Sequence, residues 1–156
     1  MTHSTTSIKP LATRAGIALL ISVGMLAPLA FAEQAAHTQV EDAWMREIPP
    51  GQTTSSGFLT LINEGTETIE LVAAEADIAG VVELHTMSTN DEGQMTMRSV
   101  PGFEVGPGEQ RELAPRSDHL MLMRVNDTLT RGDQHPVTLK FSDGSELTVE
   151  MTVRAN

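Results

Sequence analysis

Apolar and polar positions in this chain alternate with a period of two far more often than they recur at the period of a helix. The stretch 146–153 shows it best: Leu147, Val149, Met151 and Val153 fall on one side of an extended chain, Thr148, Glu150, Thr152 and Arg154 on the other. In 119–125, Leu120 and Leu122 share one face, and His119, Met121 and Met123 share the opposite one. Further extended runs are read at 40–46, 57–63, 70–74, 81–87, 95–100, 111–113 and 137–141. Turn chemistry separates them: Pro49-Pro50-Gly51, Glu64-Gly65, Asn90-Asp91-Glu92-Gly93, Pro101-Gly102 and Asp143-Gly144, the last a hairpin turn. An Ala-rich connector after Ala74 has room for one helical turn, and His135-Pro136 reads as a turn. No segment carries a long helical period, and there is no internal repeat. About eight strands at this spacing predict an all-β fold, a single antiparallel β-sandwich of the immunoglobulin-like kind, with Leu84, Leu120 and Leu122 in its core.

The first 32 residues are different. Lys9 and Arg14 precede an apolar run from Ala15 to Leu29, and Ala30-Phe31-Ala32 is a small-residue cleavage pattern before Glu33. This is the layout of a secretory signal peptide, too short and wrongly flanked for a good membrane anchor, although an uncleaved anchor is the alternative. Cleavage after Ala32 leaves roughly 124 residues, enough for one domain and not for two. The expected organisation is a signal peptide over 1–32, a loose leader over 33–39 and one domain over 40–154. In a bacterium the mature protein is then periplasmic or extracellular.

Charge and sulfur narrow the function classes. The chain carries a formal net charge of −11, and the mature part is more acidic still because Lys9 and Arg14 leave with the signal. Such a surface repels nucleic acid and anionic lipid, so neither a nucleic-acid partner nor stable membrane insertion after cleavage is expected. The carboxylates form a solvated exterior, or they attract cations or a basic partner. There is no cysteine, so disulfides are excluded and stability has to come from packing. A blue-copper site is excluded too, since it needs a thiolate. No nucleophile motif or Gly-rich phosphate loop is present, and the chain is not read as an enzyme.

What remains is a set of imidazoles and thioethers. If Leu120 and Leu122 face the core, His119, Met121 and Met123 lie together on the opposite side. His85 has the opposite parity to Val82 and Leu84 and also faces away from the core. Met97 comes from the run between these two segments, with Met87 and Met95 nearby. His85 and Met97 are separated by residues 86–96, and Met97 and His119 by residues 98–118. Imidazole plus thioether without thiolate suits monovalent copper better than zinc, calcium or magnesium. Taken singly, each residue has a plain structural reading, since methionine is common core filler and a lone strand histidine is usually not a ligand. Their gathering on one face is what favours a metal site at His85, Met97, His119 and Met121. His37 in the leader and His135 before Pro136 are read as surface residues.

These four residues resemble the motif of the periplasmic Cu(A) chaperone family, PCuAC: a His, an optional Met, ten residues, Met, 21 residues, then His-x-Met. Thr86 stands where the optional Met would be, with Met87 one place later. Ala43-Trp44-Met45-Arg46, Pro49-Pro50-Gly51, the segment 57–63, Glu83-Leu84-His85 and His119-Leu120-Met121-Leu122 resemble the family's segments in order, so the likeness runs from about Val40 to Val153. The resemblance implies a cupredoxin-like β-sandwich that binds one Cu(I) and passes it on. The implied recipient is the Cu(A) centre of cytochrome c oxidase subunit II, served alone or alongside a Sco-type thiol protein. Two other readings stay open: a periplasmic copper-buffering or resistance protein without a dedicated acceptor, and a metal-free adhesion or scaffold sandwich.

Overall fold

Strand-forming alternation and turn residues produce ten strands in a computed structural model that describes residues 33–155. The signal expected over 1–32 lies outside the described residues. The strands are β1 (Thr38–Arg46), β2 (Thr54–Asn63), β3 (Ile69–Glu75), β4 (Ala79–Thr89), β5 (Met95–Ser99), β6 (Phe103–Val105), β7 (Gln110–Leu113), β8 (His119–Val125), β9 (Gln134–Phe141) and β10 (Glu146–Arg154). Among the described residues the only helical element is a 3-10 turn, Ala35–His37, and no helix is long and apolar enough to cross a membrane.

The hydrogen-bonded order is β5-β4-β8-β2-β1-β10-β9-β3-β6, with β7 on β2 and a further β4–β3 pairing. That last contact, Ala74 opposite Val82, closes seven strands into a ring, so the sandwich is joined along both edges. The expected all-antiparallel pattern needs one correction: β1 and β10 run parallel, with Trp44 opposite Thr152. The ring encloses the core. Met45, Leu61, Leu71, Leu120, Leu122, Val137, Leu139 and Met151 have no exposed surface, and Leu84 is buried beside them. Gly57 lets the layers close, because a Cβ there would lie 3.1 Å from Met151 Cε and 3.4 Å from Leu120 Cβ.

Other departures from the sequence reading have local causes. The 33–39 segment expected to be loose is tied down: the backbone N–H groups of Glu33 and Gln34 donate to Asp143 Oδ2, that of Ala35 donates to Ser145 Oγ, and β1 starts at Thr38. The Ala-rich connector makes no helix; β3 runs to Glu75, and a tight turn follows in which the Ala79 N–H donates to the Ala76 carbonyl. His135 and Pro136 lie inside β9 and not in a turn. A proline is tolerated there because β3 pairs with β9 only from Thr138 onward, leaving that side of Pro136 with no ladder bond to make. The three-residue β6, with Phe103 and Val105 buried, is too short to stand out between Pro101-Gly102 and Gly106-Pro107.

Candidate metal site

The alternation of β8 is realised as a division of environments. Leu120 and Leu122 enter the core, while Met121 and Met123 on the other face are only half-buried. His119 is also on that other face, yet it is 4% exposed, covered by neighbours outside the aliphatic core. Phe58 stands 6.4 Å from it, and Trp44 stacks on Phe58 at 4.5 Å. His85, 8% exposed, is the direct register partner of His119 across the β4–β8 ladder, with ring centroids 5.7 Å apart. Two histidines 34 positions apart in sequence are thereby neighbours.

Register places the thioethers around this pair. Met121 is opposite Glu83 on β4 and Ser56 on β2, while Met97 on β5 is opposite Met87 on β4. Residues 83, 85 and 87 share a face of β4, so Met121 lies to one side of the histidine row, and Met87 and Met97 to the other. The strands twist these positions toward one open cleft of about 380 Å³, lined by Met87, Met97, His119 and Met121 together with Arg46, Ser56, Phe58, Pro115 and Arg116. His85, buried beside its partner, does not line the cleft. Met95 and Met123 do not line it either. β5 is an edge strand with every residue exposed, and Met95 (50%) and Met97 (49%) are the large apolar side chains most open to solvent.

Hydrogen bonds fix the imidazole tautomers. His119 Nδ1 is 3.0 Å from the Ser117 carbonyl, which can only accept, so Nδ1 carries the proton and Nε2 keeps its lone pair. His85 Nε2 is 2.9 Å from Glu83 Oε2, so Nε2 donates to the carboxylate, and Nδ1 is buried with no partner. An acceptor on one ring nitrogen and a lone pair on the other is the arrangement that orients metal-binding histidines. The turn before His119 is held by Arg111, whose Nε and NH2 groups both donate to Asp118 Oδ2, and by an Ala114 N–H bond to the Asp118 carbonyl. Asp118 therefore works on the far side from the site, as strand alternation requires.

No three His, Asp or Glu side chains gather anywhere among the described residues, so a metal held at this face needs the thioethers. His37 lies in the 3-10 turn and is exposed; His135 packs opposite Met151 in β9. Sequence reasoning missed Glu83, which the period-two rule could have placed beside His85. It also missed Phe58, Arg46 and Arg116, which only the tertiary fold brings to the cleft.

Residues 38–153 match the family described as putative lipoprotein LpqE-like. A putative lipoprotein of Leifsonia xyli subsp. xyli is 33% identical over 122 residues, covering 78% of this chain and 72% of that protein. The solution structure of the Cu(I) form of DR1885 from Deinococcus radiodurans is 30% identical, with a TM-score of 0.63, covering 81% of this chain and 84% of that one. The copper-bound PCuAC domain from PmoF2, at 18% identity, shares the fold with a TM-score of 0.66, covering 77% of this chain and 94% of that domain.

Proposed function

The chain belongs to the LpqE-like family, which is the family of the PCuAC domains, and on that premise we propose that it carries one Cu(I) as cargo at His85, Met97, His119 and Met121 and delivers it to the Cu(A) centre of cytochrome c oxidase subunit II. A Sco-type thiol protein is the partner in that handover where the oxidase needs one. The setting is the periplasm, reached through the signal at residues 1–32.

The observation that carries this reading is the pair of imidazoles fixed with one free lone pair each on a face whose other soft donors are thioethers. All four donors are neutral. Thioethers bind a soft monovalent ion well and a borderline or hard divalent ion poorly. A site of this kind retains Cu(I) against water and weak ligands, and yields it to the thiolates of a Cu(A) or Sco-type acceptor, which are softer and anionic.

Competition titration in reductant tests the ion: strong preference for Cu(I) over Zn(II) is expected, with both nitrogen and sulfur neighbours in X-ray absorption. Zinc affinity equal to that for copper would sink the ligand set. Mixing the Cu(I)-loaded protein with the reduced soluble domain of subunit II tests delivery. Intact binding without transfer would favour the buffering reading.

A further inference from the structure

The charges around the cleft run against those of the molecule. The chain has a net charge of −11, yet no carboxylate lines the cleft, whereas Arg46 and Arg116 both do. Among the described cations, Arg111, Arg131, Lys140 and Arg154 are engaged in ion pairs, with Asp118, Glu47, Glu75 and Asp42 respectively. Arg46 and Arg116 are in none. Arg98, on the other face of β5 from Met97, and Arg124, near the far end of β8, are the remaining unpaired ones. Two of the four uncompensated guanidiniums therefore stand at one cleft mouth.

Both are held there by the fold. Arg46 lies over the Phe58 ring, 5.6 Å from its centroid, and its Nε is buried without a hydrogen-bond partner. Arg116 occupies the left-handed region at φ 67° in the turn before His119, a conformation that glycine or asparagine would adopt more easily. Between them the cleft is lined by the buried Phe58, by Met121 and by the half-exposed Met97, with Ser56 and His119 as its polar members. A centre of methionine and aromatic side chains rimmed by arginine is the composition of a protein-binding surface. Cations at the rim attract a partner that is anionic on the face it presents.

We propose that the cleft rim built on Arg46 and Arg116 is a docking surface for a carboxylate-bearing face of the protein that receives the metal. This rests on the reading that Cu(I) is handed over at this cleft, and it leaves the carboxylates elsewhere on the molecule as a solvated exterior.

The surface is tested apart from the acceptor. A polyglutamate peptide, which has no copper ligand of its own beyond carboxylate, is titrated into the Cu(I)-loaded protein and followed by backbone amide shifts. Shifts confined to the neighbourhoods of Arg46, Arg116 and Met97 are expected, abolished by Arg46→Gln with Arg116→Glu and kept by Arg124→Glu. Arg124 is a matched control because it sits about 17 Å along β8 from His119. Arg116→Glu alone guards against misfolding, since Arg116 is exposed and packs on no ring. In stopped-flow transfer to the soluble domain of subunit II, the parent should slow as salt rises, and Arg116→Glu should be roughly tenfold slower or more with unchanged Cu(I) affinity. Polyglutamate shifts that are absent or lie elsewhere, or transfer indifferent to Arg116→Glu and to salt, would overturn the proposal. Polyglutamate bound at the cleft with no transfer to subunit II would uphold the surface and remove that acceptor; transfer that ignores both arginines would do the reverse.

Discussion

His85 and His119 face each other across the β4–β8 ladder at 5.7 Å between ring centroids and 62° between ring planes, and neither ring bonds to the other. Each spends one nitrogen on a fixed acceptor, and His85 Nδ1 is left buried and unmatched, a state that costs about 1–3 kcal/mol. A cation bound there relieves it. Cu(I) should therefore raise the unfolding free energy, by about 2.7 kcal/mol at a free concentration 100 times the dissociation constant, seen as a higher denaturation midpoint under reducing conditions. Equal zinc-induced stabilisation would count against the site.

Met97→Leu separates packing from ligation. The residue is half-exposed on an edge strand, so its loss of sulfur should alter stability by no more than about 0.5 kcal/mol. Cu(I) affinity should fall all the same. His119→Ala should weaken binding further and also lower stability, because it removes a buried ring that lies beside Phe58 and bonds the Ser117 carbonyl. His37→Ala, at an exposed position, is the control and should change neither; His135 is unsuited to that use because it packs opposite Met151. Unchanged Cu(I) affinity in both Met97→Leu and His119→Ala would eliminate the four-residue site.

Glu83 touches His85 and does not line the cleft. Glu83→Ala should lower Cu(I) affinity by about 10–100-fold through the loss of the acceptor that orients the ring. Glu83→Gln keeps an acceptor oxygen and should retain most of the affinity. Parallel titrations of the two variants read the difference, and identical losses would assign Glu83 a purely electrostatic role.

Asp143 sets the acid limit of the N-terminal segment. Burial pushes its carboxyl up, but the hydrogen bonds from Gln34, Ser145 and Glu33 outweigh that and hold it below its ordinary 3.8. A carboxylate depressed in the folded state stabilises fully above its unfolded pKa, and that contribution is lost as the pH falls through the lower, folded value. Amide exchange in residues 33–37 should accelerate below about pH 3.8, well before the core strands respond. In Asp143→Ala, which has no acceptor there, the segment should exchange fast at every pH, and a parent segment that stays protected in strong acid would refute the anchoring role.

Much of this architecture was legible in the chain because period-two alternation is a local signal. β8 has the bounds its alternation predicts, and Leu147, Val149, Met151 and Val153 face inward as their spacing requires. Where pairing partners decide the outcome, sequence alone misled: Pro136 sits in a strand because β3 stops short of it, and the 33–39 segment is ordered by a hairpin turn more than a hundred residues away. The site divides the same way. Parity put His85, His119 and Met121 on one face, but only the register between β4 and β8 makes the two histidines neighbours, and only the fold brings Arg46 and Arg116 to them.

The openness of β5 has a chemical consequence of its own. No residue of that strand is buried, and Met97, half-exposed on it, is open to hydrogen peroxide as well as to an acceptor protein. Conversion to the sulfoxide would replace a soft donor with a hard oxygen and add a polar group the edge strand tolerates without unfolding. The protein would then survive oxidative stress as a folded molecule with a weakened grip on copper, and a methionine sulfoxide reductase would restore it.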